Sequence, residues 1–244
     1  FLSQNNIAAH IFNYYGFYAG SFYPREYLVS GFTVVKQVEK YLDVQERIKI
    51  AREVISTASF NILKTLKYYE KKKEISDYVE KIEIERLKVE DAGDIPGLMG
   101  IEGRIRDIYY NAFGLIIDNK FEFSKRVKNP PDNIVNTLIS FGNSLMYSTV
   151  LSEIYHTQLN PTISYLHEPG QRRFSLSLDI SEIFKPIIVD RLIFKLINEN
   201  MIKEEHFLKD FNYCYLDDKG KKVFVREYNK KLDTTIKHRK LGRS

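Results

Sequence analysis

"NPPDNIVNTLISFGNSLMYSTVLSEIY", residues 129–155, decides the fold. Pro131 suits a first helical position, where a missing N–H costs nothing, and Asp132 adds negative charge to the first turn. Ile134, Leu138, Phe141 and Leu145 then recur at three- and four-residue intervals, a buried stripe that predicts one helix running to about Tyr155. The rest of the chain must pack around it.

Toward the N-terminus, "DAGDIPGLMGIEGRIRDIYYNAFGLII" (91–117) has a breaker-rich entry with Gly93, Pro96, Gly97 and Gly100. Ile101, Ile105, Ile108, Ala112 and Leu115 then share one face, so a helix is expected from near Gly100, with Glu102 in its first turn. Lys72 to Leu87 is charged and only sparsely apolar, which reads as a solvent-facing helix or connection. Further back, Val35, Val38, Tyr41 and Leu42, then Ile48, Ala51, Val54, Ile55, Ala58, Leu63 and Leu66, keep helical spacing and predict two helices. The first 30 residues differ: aromatic-rich and broken by Gly16 and Gly20, they read as short strands joined by a tight turn.

Toward the C-terminus, Ile180, Ile183, Phe184, Ile187, Ile188, Leu192 and Leu196 carry another helix, bent or restarted at Pro186. "YCYLDDKGKKVFV" (213–225) suggests a two-stranded hairpin turning at Asp218 to Gly220, followed by a basic tail. The expected architecture is a mainly α domain over 31–244 preceded by a small β piece over 1–30, α+β overall.

Composition sets the outer limits. At 244 residues and 43% hydrophobic the chain can bury a sizeable core. Cys214 is the single cysteine, so neither an intramolecular disulfide nor a cysteine-based zinc site can form, which fits a reducing cytoplasm. No apolar run is long enough for a membrane span, and no membrane partner is expected. The net charge of +5 is compatible with a polyanionic partner, and equally with a solvated basic surface.

Chemistry concentrates in few residues. Phosphodiester catalysis by a bound divalent metal needs hard oxygen ligands, sometimes joined by an imidazole. Glu102, His167, Asp179 and Glu182 are the candidates; Asp179 and Glu182, three residues apart, share a helical face. Each has an ordinary reading too. Glu102 and Arg106 at i, i+4 can be a surface pair worth about 0.2–0.5 kcal/mol. His167 can be a packed histidine, and Asp179 a helix cap. Arg172 and Arg173 can be surface charges, although two guanidiniums between an imidazole and an acid pair suit a phosphate-bearing ligand.

Four stretches, "VVKQVEKYLDVQERIKIAREVI" (34–55), "GIEGRIRDIYY" (100–110), "NPPDNIVNTLISFGNSLMY" (129–147) and "LNPTISYLHEPGQRRFSLSLDISEIFKP" (159–186), closely resemble the CRISPR-associated adaptation integrases, the larger of the two core spacer-acquisition proteins. The resemblance runs from Asn5 onward. It implies a small N-terminal β domain ahead of a helical catalytic domain, with the leading strands and the closing helix lying outside this chain.

The resemblance also implies a triad of Glu102, His167 and Glu182 holding Mg²⁺ or Mn²⁺, with Asp179 as accessory carboxylate. Arg106 and Arg173 correspond to arginines of the family and are candidates for contacting DNA phosphate; Arg172 and the run Lys125–Arg126–Val127–Lys128, with "KHRKLGR" at 237–243, extend the candidate basic surface. Asn129, Pro130, Pro131, Asp132, Asn136, Ser140, Phe141 and Gly142 match a supporting motif. Gln158–Pro161 and Asn143 depart from common family residues without touching the expected ligands.

The implied activity joins the 3′-hydroxyl ends of a captured double-stranded DNA fragment to CRISPR repeat DNA by transesterification. The implied partners are a second copy of the chain and a small ferredoxin-like protein. Two other classes fit parts of the pattern. A non-catalytic helical DNA-binding scaffold needs only the basic surface, and a metal-dependent nuclease acting on branched DNA uses the same triad without joining ends.

Overall fold

A computed structural model describes residues 1–24, 28–117, 119–128, 130–170, 174–210 and 213–235. Strands β1 (Ala9–Phe12) and β2 (Tyr18–Phe22) form an antiparallel hairpin that pairs Ala9 with Phe22 and bulges between Ile11 and Phe12. Its turn needs Gly16, which sits at φ +84° over the ring of Phe141, and is closed by Asn13, whose Oδ1 accepts from Tyr15 N and Phe17 N. A lone hairpin is marginal in water. This one is anchored on the long central helix through Phe141, through Tyr18 against Tyr147 (centroids 5.4 Å apart), and through Tyr23 stacked on Tyr155 at 5.0 Å.

Helices α1 (Gly31–Leu42) and α2 (Val44–Glu70) follow, capped by Ser30 and Asp43. The charged stretch forms α3 (Ser76–Leu87), which buries only Val79 and Ile82. Helix α4 (Ile95–Asn111) starts earlier than the glycines suggested: Asp94 caps it, its Oδ1 accepting from Gly97 N at 2.7 Å, and Pro96 is tolerated in the first turn. Glu102 therefore lies in the second turn rather than the first. The short α5 (Phe113–Ile116) completes this arm.

The central helix α6 (Ile134–Tyr155) ends where expected. It begins three residues beyond Pro131, with Asn133 as its N-cap: Oδ1 accepts from Asn136 N at 2.9 Å. Helix α7 (Ser175–Lys185) packs between α2 and α6, and a wide π-helical turn at Pro186–Asp190 links it to α8 (Arg191–Asn198). Proline supplies no N–H, so the ladder is interrupted there. Two α2 side chains compensate: Asn61 Nδ2 donates to Ile183 O at 2.8 Å and Thr65 Oγ1 to Pro186 O at 3.2 Å.

A second hairpin, β3 (Phe207–Asp210) with β4 (Tyr213–Leu216), lies beside α6. The expected turn at Asp218 to Gly220 is instead the start of α9 (Asp218–Leu232): Asp217 Oδ1 accepts from Gly220 N at 2.7 Å, and Phe224 and Tyr228 bury an i, i+4 pair. The helix wins because its apolar face has a core to enter. Gly142 of α6 faces α9 and the π turn so closely that a Cβ there would collide with Val189 and lie 3.0 Å from Phe224. The result is mainly α with small two-stranded sheets, built on one apolar core. No described helix is long and apolar enough to cross a membrane.

Candidate active site

Glu102 and Arg106 stand one turn apart on α4, beside Ile101 and Ile105, which point into the core. The neighbouring buried stripe pins that face, so both polar side chains are directed along the seam toward α7. Arg106 bridges two carboxylates, pairing through Nε with Glu102 Oε1 and through a terminal nitrogen with Glu182 Oε2. Lys185 Nζ reaches the other Glu182 oxygen at 2.5 Å. All four side chains are largely shielded, with 10–21% of their surface exposed.

His167 enters from the loop before α7. Asp179, buried to 1% exposure, organises that loop: Oδ2 accepts from Tyr165 N (2.7 Å) and Leu166 N (2.9 Å), and Oδ1 accepts from His167 N (3.0 Å). The same Oδ1 lies 2.8 Å from His167 Nδ1. Against a carboxylate acceptor Nδ1 carries the hydrogen, which leaves the Nε2 lone pair open. Ser164 Oγ donates to His167 O at 2.6 Å, tightening the turn.

Helices α1 and α2 brace this loop from behind. Gln37, buried, donates to Asn160 O at 3.2 Å and accepts from Asn160 N at 2.8 Å. Arg47 donates to Tyr165 O at 2.9 Å and pairs with Glu168 at 2.5 Å while stacking over Tyr41.

Beneath the carboxylates lies Asp190, 1% exposed. Neither its Oδ2 nor the buried Tyr109 hydroxyl beside it completes a hydrogen bond among the described residues, and Tyr109 is the donor that acts on the Asp190 carboxyl. Burial pushes the Asp190 carboxyl up to about 6, against the pull of Arg106. Burial, reinforced by the Arg106 charge, draws the Lys185 ammonium down to about 7. Lys128 is lowered for the same two reasons, its desolvation joined by repulsion from Arg126, Lys185 and Arg106. Arg106 and Lys185 are thus set against Glu102, Glu182 and Asp190, a close mixture of opposite charges, with the exposed Lys128 at its edge.

The structure brings Glu102 and Glu182 to one guanidinium, and His167 to Asp179 one helical turn before Glu182. Among the described residues, no three His, Cys, Asp or Glu side chains already stand close enough to hold a metal ion together. Asp179 has both oxygens engaged by the His167 loop. Arg126 is turned inward, donating to Val127 O, to Asn136 Oδ1 at 3.1 Å and to Ser140 Oγ at 2.9 Å. Lys125 is exposed. Arg172, Arg173 and the 237–243 run lie outside the described residues.

Sequence reading assigned no role to Lys185, Asp190 or Gln37. Lys185 was detectable, three residues past Glu182 on the same helical face. Nothing local marked Asp190 or Gln37, whose importance comes from what packs against them.

The sequence model of the family described as "CRISPR associated protein Cas1" matches residues 1–230. A protein named CRISPR-associated endonuclease Cas1 from Fusobacterium nucleatum subsp. nucleatum is 54% identical over 244 residues, covering all of this chain and 72% of the relative. A solved CAS1 protein from Thermotoga maritima superposes with a TM-score of 0.87 at 46% identity, covering 95% of this chain and 73% of that one. A casposase bound to integration product also reaches 0.87, at 21% identity and with 98% and 67% coverage, a likeness of fold.

Proposed function

The chain belongs to the CRISPR-associated Cas1 family, and on that footing we propose that it is a divalent-metal-dependent DNA integrase and endonuclease of spacer acquisition. The observation that carries this reading is the meeting of Glu102 and Glu182 across Arg106, with a His167 ring fixed by Asp179, which lies one helical turn before Glu182. Glu102 and Glu182 come from α4 and α7, so only folding brings them to one guanidinium, and His167 enters from the loop before α7.

The donor chemistry suits Mg²⁺ or Mn²⁺: two carboxylates and one imidazole whose Nε2 is left open by the Asp179 contact. Glu102, Glu182 and His167 would hold the ion, which when bound supplies Lewis-acid polarisation of a phosphate oxygen and activation of the attacking hydroxyl. The chain's own groups do the rest. Asp179 acts through His167 as a positioning residue, setting both the tautomer and the backbone path. Lys185 and Lys128 would offer positive charge to the extra negative charge that develops on phosphate during in-line displacement. Phosphodiester exchange needs no covalent protein intermediate, because the 3′-hydroxyl of the captured fragment replaces the leaving strand directly.

The partners in this reading are captured and repeat DNA, a second copy of the chain and the small ferredoxin-like adaptation protein. Basic side chains neutralise the backbones, so binding weakens as salt rises. The deciding assay combines a labelled duplex, a repeat-bearing plasmid, the partner protein and Mn²⁺ or Mg²⁺. Joined product is expected from the unaltered protein and none from Glu102→Ala. Cleavage of branched DNA without joining identifies a nuclease. Activity untouched by Glu102→Ala identifies a scaffold.

A further inference from the structure

The buried carboxylates of the site are already neutralised from within. Glu102 is matched by Arg106, and Glu182 by both Arg106 and Lys185, all largely shielded from water. Two negative charges therefore face two positive ones. Adding a divalent cation to that set would leave a buried excess of two positive charges, which a weakly polarisable interior opposes strongly. Unless the cation is refused, Lys185 sheds its proton or a resident cation moves, and arginine, which keeps its proton, can only move.

Arg106 is the group in the way. Its guanidinium contacts one oxygen of each acid, so it occupies the ground between the two carboxylates that would hold a metal. It also has somewhere to go. Asp190 is 1% exposed, its charge acts on Arg106, and its Oδ2 completes no hydrogen bond among the described residues, the Tyr109 hydroxyl being the one other donor that acts on it. A buried carboxylate oxygen with an unfilled acceptor site, near a guanidinium with five N–H donors, is prepared for a second arrangement.

We propose that Arg106 is a resident counter-ion that holds Glu102 and Glu182 together until a divalent cation takes those carboxylates, whereupon the guanidinium shifts to Asp190. The inference rests on the metal-dependent reading of the site. It explains why the ligands are gathered near one another yet do not converge at metal-binding spacing among the described residues. It also assigns Asp190 a role as a positioning residue that acts through Arg106.

The test is calorimetric titration of Mn²⁺ into the purified protein, alongside thermal unfolding with and without Mn²⁺. Arg106→Gln removes the competing charge, so Mn²⁺ binding should tighten about tenfold, while the unfolding temperature without metal falls because two buried acids lose their partner. Mn²⁺ should restore that temperature. Arg106→Lys, which keeps the charge and guards against a folding failure, should bind Mn²⁺ as the unaltered protein does or more weakly.

Asp190→Asn should weaken Mn²⁺ binding in the unaltered background and have little effect once Arg106 is Gln. If Mn²⁺ binds and Glu102→Ala abolishes it, but Arg106→Gln leaves the affinity unchanged or lowers it, counter-ion displacement is wrong while metal binding stands. If Mn²⁺ binding is absent or indifferent to Glu102→Ala, the metal reading itself falls and takes the inference with it.

Discussion

Asp179 Oδ1 accepts from His167 N at 3.0 Å and lies 2.8 Å from His167 Nδ1, so one oxygen fixes both the backbone and the ring of the same residue. Its other oxygen receives Tyr165 N and Leu166 N, and four N–H groups point at one carboxylate. Replacement by Asn puts a donor where donors already converge, leaving buried N–H groups unpaired at a cost of about 2–4 kcal/mol. Asp179→Asn should lower the unfolding temperature and change the His167 ring ¹⁵N shifts to those of the other tautomer. Integration should drop about 10–100-fold, the usual effect of removing such a partner. An unchanged His167 spectrum would refute the positioning role.

Arg126 gives a contrasting case among the arginines. Its side chain ties the 125–128 loop to Asn136 and Ser140 on α6, and burial lowers its pKa despite neighbouring Tyr110. Arg126→Lys cannot reproduce a fork that reaches three partners. A loss of about 2–3 kcal/mol in chemical denaturation is expected. The salt dependence of DNA binding should keep its slope, whereas loss of a phosphate contact would reduce it by about one counterion.

Gly142 sets how closely α6, α9 and the π turn approach. With Val189 and Phe224 against the position, Gly142→Ala should destabilise by about 1–3 kcal/mol through overpacking. Denaturation of the double variant with Val189→Ala should recover part of that loss. No recovery would mean the helices are not in contact there.

Glu227 on α9 is buried beneath three cations: Lys230 at 2.8 Å, Lys195 at 2.9 Å and Arg226 at 3.3 Å. Hydrogen bonds from Lys230 and Lys195 hold its carboxyl down to about 2. A depressed carboxylate stabilises the fold fully above its unfolded value of 4.5, and that stability is lost as pH falls toward 2. Because the partners are 46–65% exposed, solvent screening reduces the contribution to about 1 kcal/mol. The stability gap between the unaltered protein and Glu227→Gln should be constant from neutral pH to about 5, then close on further acidification.

The two hairpin readings show where local pattern sufficed. The N-terminal aromatic stretch forms strands as expected, because Asn13 and Gly16 encode the turn chemically. "LDDKG" carries equally strong turn chemistry, yet Asp217 uses it to cap α9. Only the presence of a core at Phe224 and Tyr228 distinguishes a capped helix from a hairpin. Glu102, His167 and Glu182 could be named through the resemblance of the stretches that carry them, because a motif is a property of the linear string, whereas spacing alone left each an ordinary reading. The geometry of Asp179 and the inward turn of Arg126 could not, because neither is a property of neighbours in sequence.

By itself the sequence determined the long central helix, most of the flanking helices and the front hairpin, which follow from periodicity and turn residues, all interactions within a few residues. The candidate ligands came from the resemblance of their stretches to a family. Tertiary structure alone decided that Arg106 lies between Glu102 and Glu182, that Asp190 is buried below them with an unpaired oxygen, and that Gln37 braces the His167 loop. Charge pairing and desolvation act through space, and their partners become neighbours only when α2, α4, α6 and α7 close on a shared core.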